Sequence, residues 1–290
     1  MVAYNQPIAE IIRRRFSCRS YVQRPIEPGL RDQLSKLLSE SIIGPLGTRI
    51  RFELVSAGEQ DFAALKGLGT YGFIKGASGF IIGAAGPGKN NIEDYGYLME
   101  RAVLLATDIG LGTCWLGGSF NKSNFSRKIS LNEAEIMPAV VAVGYVADKR
   151  RWLDSYIRRS AGSDSRLPWT SLFFDGTFLA ALSVDTSGAF ATPLEMVRLG
   201  PSASNKQPWR IIKDGTRWHF HLQRTVGYAK RNTTFLKLAD LQRVDMGIAM
   251  CHFELAVREM GLSGEWTQFE QAIEKRNELT EYIVSWQQKD

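Results

Sequence analysis

The chain has 290 residues, 44% of them apolar and 23% charged, an ordinary globular composition with room for one large core or two small halves. A formal charge of +6 and a pI of about 9.2 would suit nucleic acid if the basic residues formed one stripe with interleaved aromatics; they do not, which leaves a mildly basic surface or a basic pocket for an anionic cofactor. Three scattered cysteines without a C-x-x-C pair argue against a disulfide framework, and the charged N-terminus and lack of a long apolar run argue against a signal peptide or membrane span, so a cytoplasmic protein with no nucleic-acid or membrane partner is expected.

Near the start, RRRFSCRSYVQRPIE (Arg13 to Glu27) sets cationic side chains beside a hydroxyl at R-x-S-x-R spacing. Guanidinium forks and a hydroxyl suit a phosphate. The solvated basic end of a helix has the same spacing, so both readings stay open. A helix is expected around Leu30 to Leu38, then an alternating strand through Ile50, Phe52 and Leu54 and a second strand over Phe80 to Ala85. The following AAGPGKNNIE has glycines and a lysine but lacks the G-x-x-x-x-G-K-[ST] of a phosphate loop. Leu98, Ala102, Leu105 and Ile109 mark one face of a core helix closed by Gly110, and Ala139 to Val146 reads as a strand.

Between Ala147 and Trp169 the chain is rich in Arg and Ser, and an exposed connection, part helix, is expected. WRII, the turn Lys213-Asp214-Gly215-Thr216 and RWHFHL predict a hairpin. His219 and His221 share one strand face and could chelate a metal, but no carboxylate or thiolate clearly joins them; a solvated face, with no metal site, is the expectation. Cys18 is expected to fill an apolar position, and Trp115 and Trp266 to be core residues.

DYGYLMERAVLLATDIGLGTCW (Asp94 to Trp115) and DMGIAMCHFELAVREMGLSGEW (Asp245 to Trp266) align without a gap at an offset of 151 residues. Asp94/Asp245, Gly96/Gly247, Gly110/Gly261, Leu111/Leu262 and Trp115/Trp266 are identical pairs in that register. A unit this long is no solenoid repeat, so two α+β halves packed as a built-in dimer are expected, residues 1–170 and 171–290.

Four segments carry a resemblance. Arg15-Phe16-Ser17-Cys18-Arg19-Ser20-Tyr21 with Pro25-Ile26, Gly110 to Gly118 with its G-L-G-x-x-W, Pro138 to Tyr145, and Pro201-Ser202-Ala203-Ser204-Asn205-Lys206-Gln207-Pro208-Trp209 resemble motifs of the FMN-dependent nitroreductase family. The resemblance implies a nitroreductase-like fold that is an intertwined dimer, each FMN site taking the R-x-S motif from one subunit and the P-S-x-x-N-x-Q-P-W loop from the other. Here SESIIGPLGTRIRF (Ser39 to Phe52) stands where the first half's loop belongs, without its Asn or Gln, and Phe173 to Pro193 contains no Arg. Each half keeps what the other lacks, which implies a monomeric internal pseudo-dimer with one composite FMN site per chain.

On this resemblance Arg15, Phe16, Ser17 and Arg19 contribute to the phosphate and ribityl side of the site. Pro201, Ser202, Ala203 and Asn205 face the flavin, Gln207 and Trp209 brace the loop, and Leu116, Gly117 and Gly118 lie against the ring. Arg166 completes the phosphate site, although Asp164 stands where the family often has Lys; Arg158 or Arg159 could compensate. The implied activity is ping-pong oxidoreduction, with NADH or NADPH as co-substrate and a nitroaromatic, quinone or similar small-molecule electron acceptor. The flavin carries the chemistry and no protein catalytic residue is implied. The alternative is a flavin-binding protein of the same fold without activity.

Overall fold

The computed structural model describes residues 4–40, 42–58, 62–148, 162, 165–227, 239–269 and 276–289. Its first part contains α1 (Ile8–Arg14), β1 (Tyr21–Val22), α2 (Pro28–Glu40), β2 (Ile50–Ser56), β3 (Gly79–Ala85), α3 (Asn91–Asp108), β4 (Gly112–Leu116), α4 (Lys122–Lys128) and β5 (Val140–Val146). The second contains β6 (Phe173–Asp175), β7 (Thr177–Ala181), α5 (Ala191–Leu199), β8 (Trp209–Asp214), β9 (Arg217–Gln223), α6 (Leu241–Glu259), β10 (Ser263–Thr267) and β11 (Thr280–Lys289). The class is α+β, as the sequence predicts.

Each part builds its own sheet, and the two share a core order. β4-β5-β3-β2 in the first and β10-β11-β9-β8 in the second are antiparallel at every pairing. Each is preceded by a helix and wraps its long helix between the second and third strands in chain order: α2, β2, β3, α3, β4, β5 beside α5, β8, β9, α6, β10, β11. The offset of 151 residues seen in sequence also relates β4 to β10 at both ends. To this plan the first sheet adds β1, the second the edge pair β6 and β7.

The long helices α3 and α6 form the most extensive helix–helix contact among the described residues. Most positions of both are buried, the pattern of helices covered on nearly all sides. Their closest approach is at the matched glycines. A Cβ on Gly96 would strike the Val244 carbonyl, and a Cβ on Gly247 would strike the Glu93 carbonyl. Glu93 and Val244 are themselves separated by 151 residues, so the contact is reciprocal, the signature of a two-fold interface, here inside one chain.

Burying charge on these helices costs free energy unless each group finds a partner. Glu93 meets Arg243 in a two-pronged pair at 2.6 and 2.7 Å. Asp108 accepts the Asn5 N–H. Glu100 accepts the Trp115 indole N–H at 2.8 Å and contacts His252 Nε2 at 2.9 Å. Glu254 takes the Tyr97 hydroxyl and the Trp266 indole. Since the Met196 carbonyl on His252 Nδ1 can only accept, Nδ1 donates there, which leaves Nε2 facing Glu100.

Several local expectations change. The hairpin forms, with its turn at Gly215 and Thr216, one residue later than the four-residue turn read from sequence spans. His219 and His221 are not on a solvated face: both are buried, because β9 lies between β8 and β11 and is covered on both sides. His219 Nδ1 contacts Ser285 Oγ at 2.6 Å, and among the described residues no cluster of three His, Cys, Asp or Glu could hold a metal. Trp115 and Trp266 are half-buried rather than central, each donating its indole N–H to a buried glutamate. Cys18 is buried, as expected. Most of the connection between Ala147 and Trp169, with Arg158, Arg159 and Asp164, lies outside the described residues. Among the described residues no helix is long and apolar enough to cross a membrane.

Candidate functional site

A cavity of about 400 Å³ lies where the two parts meet. The first part contributes Arg15, Ser17 and Arg19, the end of β4 with Leu116, Gly117 and Gly118, and Phe73. The second contributes Pro201 to Asn205 and four residues of α6, namely Leu241, Val244, Asp245 and Ile248. Arg166 completes the lining on the polar side. This size and this mixture of apolar wall and few polar groups fit a small-molecule site.

The R-x-S-x-R segment is not a helix end. After α1 the chain turns extended at Arg15, and Ser17 forms a parallel bridge with Thr113, reinforced by the Cys18 N–H donating to the Thr113 carbonyl at 2.8 Å. In an extended chain alternate residues share a face. Arg15, Ser17 and Arg19 therefore line the cavity together, half-buried, while Phe16 packs with Cys18 against the core of the first sheet. Phe16, expected at the cofactor site, is thus not on the cavity wall.

The opposite wall is a loop held in sparsely populated backbone conformations. Ser204, Asn205 and Gln207 all have positive φ, at 51°, 53° and 48°, which persists only where surroundings fix it. The fixings are visible. Ser202 Oγ accepts the Gln207 N–H at 2.8 Å, and Asn205 Nδ2 donates to the Gly162 and Ser165 carbonyls. Gln207 is buried beneath the loop: its Oε1 accepts the Leu167 N–H at 2.8 Å and its Nε2 donates to the Asn205 carbonyl. Gln207 therefore braces the loop from behind and does not line the cavity. Trp209, fully buried, anchors the loop's far end at the start of β8. Arg166 is oriented by donating to the Ser165 and Leu199 carbonyls.

Two features of the site escape sequence reading. Phe73 follows a glycine-rich turn that carries no recognisable motif, and Asp245 belongs to the repeat but stands out from it in no way. Asp245 is only 3% exposed and its two carboxyl oxygens share the Ala203 N–H, at 2.9 and 3.1 Å. Burial pushes this carboxyl well above the usual range, with Asp240 adding to the effect and the Ala203 N–H opposing it. Its repeat counterpart Asp94 is also raised by burial, opposed by the Leu46 and Thr48 N–H groups it accepts.

The comparisons with known proteins agree with this architecture. The chain's fold resembles the crystal structure of a "putative nitroreductase" from Thermotoga maritima, with a TM-score of 0.61 at 19% identity, covering 99% of this chain and 95% of that one. Two shorter structures match about half of this chain. A "putative nitroreductase" in complex with FMN from Desulfovibrio desulfuricans is 20% identical over 52% of this chain and 95% of its own, with a TM-score of 0.39. An FMN-dependent nitroreductase from Clostridium difficile is 19% identical over 49% of this chain and 88% of its own, with a TM-score of 0.38. No curated protein matches the sequence. A family model described as "Putative TM nitroreductase" matches residues 7–257, and with most of its length inside that match the chain belongs to this nitroreductase family.

Proposed function

We propose that the protein is an FMN-dependent NAD(P)H oxidoreductase with one composite flavin site per chain, built by two related halves, residues 1–170 and 171–290, that act as an internal dimer within a monomer. The observation carrying this reading is that Arg15, Ser17 and Arg19 face Pro201 to Asn205 across one cavity, although the whole first sheet and strands β6 and β7 lie between them in sequence. The donor set fits FMN: three guanidinium groups and several hydroxyls suit a phosphate and a ribityl chain, and the apolar α6 residues with thin Gly117 and Gly118 suit a flat ring. A Cβ on Gly117 would press on the Leu241 side chain, which would have to shift into the cavity or against its neighbours.

FMN bound here would supply the redox chemistry, between reduced nicotinamide as donor and a nitroaromatic, quinone or similar acceptor. The chain's own residues bind and orient. Arg15, Arg19 and Arg166 offset the phosphate charge, while Gln207, Ser202 and Asn205 keep the strained loop in one shape so that its backbone groups need not reorganise. The protein is proposed to work in the cytoplasm, with no nucleic-acid or membrane partner.

The test is flavin content and turnover of the purified full chain. One FMN per chain is expected, with NADH or NADPH bleaching the flavin and a quinone restoring its colour. Arg15→Ala and Asn205→Ala should each weaken FMN binding about tenfold or more, since each removes a charged or loop-fixing group. A colourless chain that takes up no added FMN overturns the reading. Bound flavin that neither nicotinamide reduces leaves the non-enzymatic flavin binder instead.

A further inference from the structure

Asp94 and Asp245 occupy the same place in the two copies of the repeat, and both hold the loop that precedes the next sheet, yet their hydrogen bonding differs. Asp94 is saturated by separate donors: Leu46 N–H reaches Oδ1 at 2.8 Å and Thr48 N–H reaches Oδ2 at 2.7 Å. Gly44 closes over it so tightly that a Cβ there would overlap the carboxyl. Among the described residues, Asp245 has the single Ala203 N–H for both oxygens. It is 3% exposed, and it stands on the wall of the cavity. A buried carboxyl with one shared donor has hydrogen-bonding capacity left over, and the open side available to it is the cavity.

We propose that Asp245 is a direct contact of the flavin bound in this cavity, carrying a proton and donating it in a hydrogen bond to an acceptor atom of the cofactor. This rests on the FMN reading above. The longer second loop then has a purpose beyond shape: it leaves one face of its anchoring aspartate uncovered, where the short first loop covers both oxygens of Asp94. The charges around Asp245 agree with a neutral acid. Asp240, at the cap of the same helix, is held by Arg224 at 2.5 Å, and Glu93 on α3 is paired with Arg243. Across the cavity stand Arg15, Arg19 and Arg166, which the cofactor phosphate would engage. Burial favours the protonated form of Asp245. An ionised Asp245 would lose its donor and repel an anionic cofactor.

The experiment is FMN affinity against pH, read by quenching of flavin fluorescence, for the full chain and for Asp245→Asn. Asparagine keeps an acceptor for the Ala203 N–H and an amide N–H for the cavity, so the variant should fold and bind FMN within about threefold of the wild type at the acid end. Wild-type affinity should fall about tenfold or more as pH rises through the titration of Asp245. Asp245→Asn should lack that fall, while titration of the FMN phosphate appears in both profiles and cancels. Superimposable profiles from two FMN-binding proteins overturn the proposal and leave Asp245 as a loop anchor only. Failure of the wild type itself to bind FMN overturns both readings. A second measurement needs no variant: infrared difference spectra on adding FMN to the wild type near neutral pH should show the carbonyl band of a buried protonated carboxyl shifting. The absence of any such band overturns the proposal.

Discussion

The loop from Gly44 to Thr48 and the loop from Gly200 to Gln207 hang from equivalent aspartates and lead into equivalent strands, but they are built on opposite principles. The first is short and closed on itself, with Gly44 and Thr48 bonded to one another, Gly47 supplying the one positive φ, and both Asp94 oxygens filled. The second is longer, stands away from its aspartate, and places positive φ on Ser204, Asn205 and Gln207, residues that glycine would replace at lower strain. The two parts keep a common plan where packing demands it, in the sheets and the helix crossing, and differ in the loop that forms the cavity wall.

The harshest way to break this comparison is at the crossing itself. Gly96→Ala and Gly247→Ala each drive a methyl group into the partner helix's backbone, and backbone cannot swing aside as a side chain can. Each should cost about 3 kcal/mol or more in denaturant unfolding. Because the contact is reciprocal, the two losses should be alike; a large loss at one glycine and none at the other would show that the two-fold relation is not carried by this contact.

A second test asks how far the two sheets have diverged. Arg51 and Arg210 each follow the first residue of their strand and face Ala84 and His221 across the ladder. The second sheet has thus placed an imidazole where the first has a methyl group. Burial pushes His221 down to about 4 from the ordinary value near 6.5. The unfolded chain therefore binds a proton between those two values and the folded chain does not. Stability from this group is complete above pH 6.5 and is lost as pH falls toward 4, by up to about 3 kcal/mol. Thermal unfolding of His221→Leu should show a shallower acid limb than the wild type, approaching what the first sheet alone would give.

What could be read in advance follows from which constraints leave a mark on residue identity. The repeat was legible because a close helix crossing admits glycine alone and a helix end favours Gly110 and Gly261 in the left-handed region. The Pro201 to Trp209 loop was legible because strained backbone needs particular side chains to hold it, and the arginine motif because an extended segment sets alternate residues on one face. By contrast, β6 is only three residues long and β7 is a mostly exposed edge strand, so little alternation betrays them. The burial of His219 and His221 depends on sheet order, which puts β9 in the interior. The open valence of Asp245 appears only when its hydrogen bonds are set beside those of Asp94, since the letters are the same.

The smallest expected effect sharpens the loop comparison most directly. Ser204 sits at φ 51° and its side chain makes no hydrogen bond among those of the described residues, so the hydroxyl does nothing to hold the loop that its backbone strains. Ser204→Gly should relieve that strain and, after the greater unfolded-state freedom of glycine is subtracted, stabilise the protein by less than about 1 kcal/mol. Gly47→Ala in the short loop, at φ 91°, should move the other way by a similar amount. If the second loop keeps Ser204 for what it presents to the cavity, the stabilised Ser204→Gly variant should bind FMN more weakly than the wild type. Tighter folding with unchanged FMN affinity would mean that the strain at this position serves nothing in the site, and that the two loops differ in length and anchoring alone.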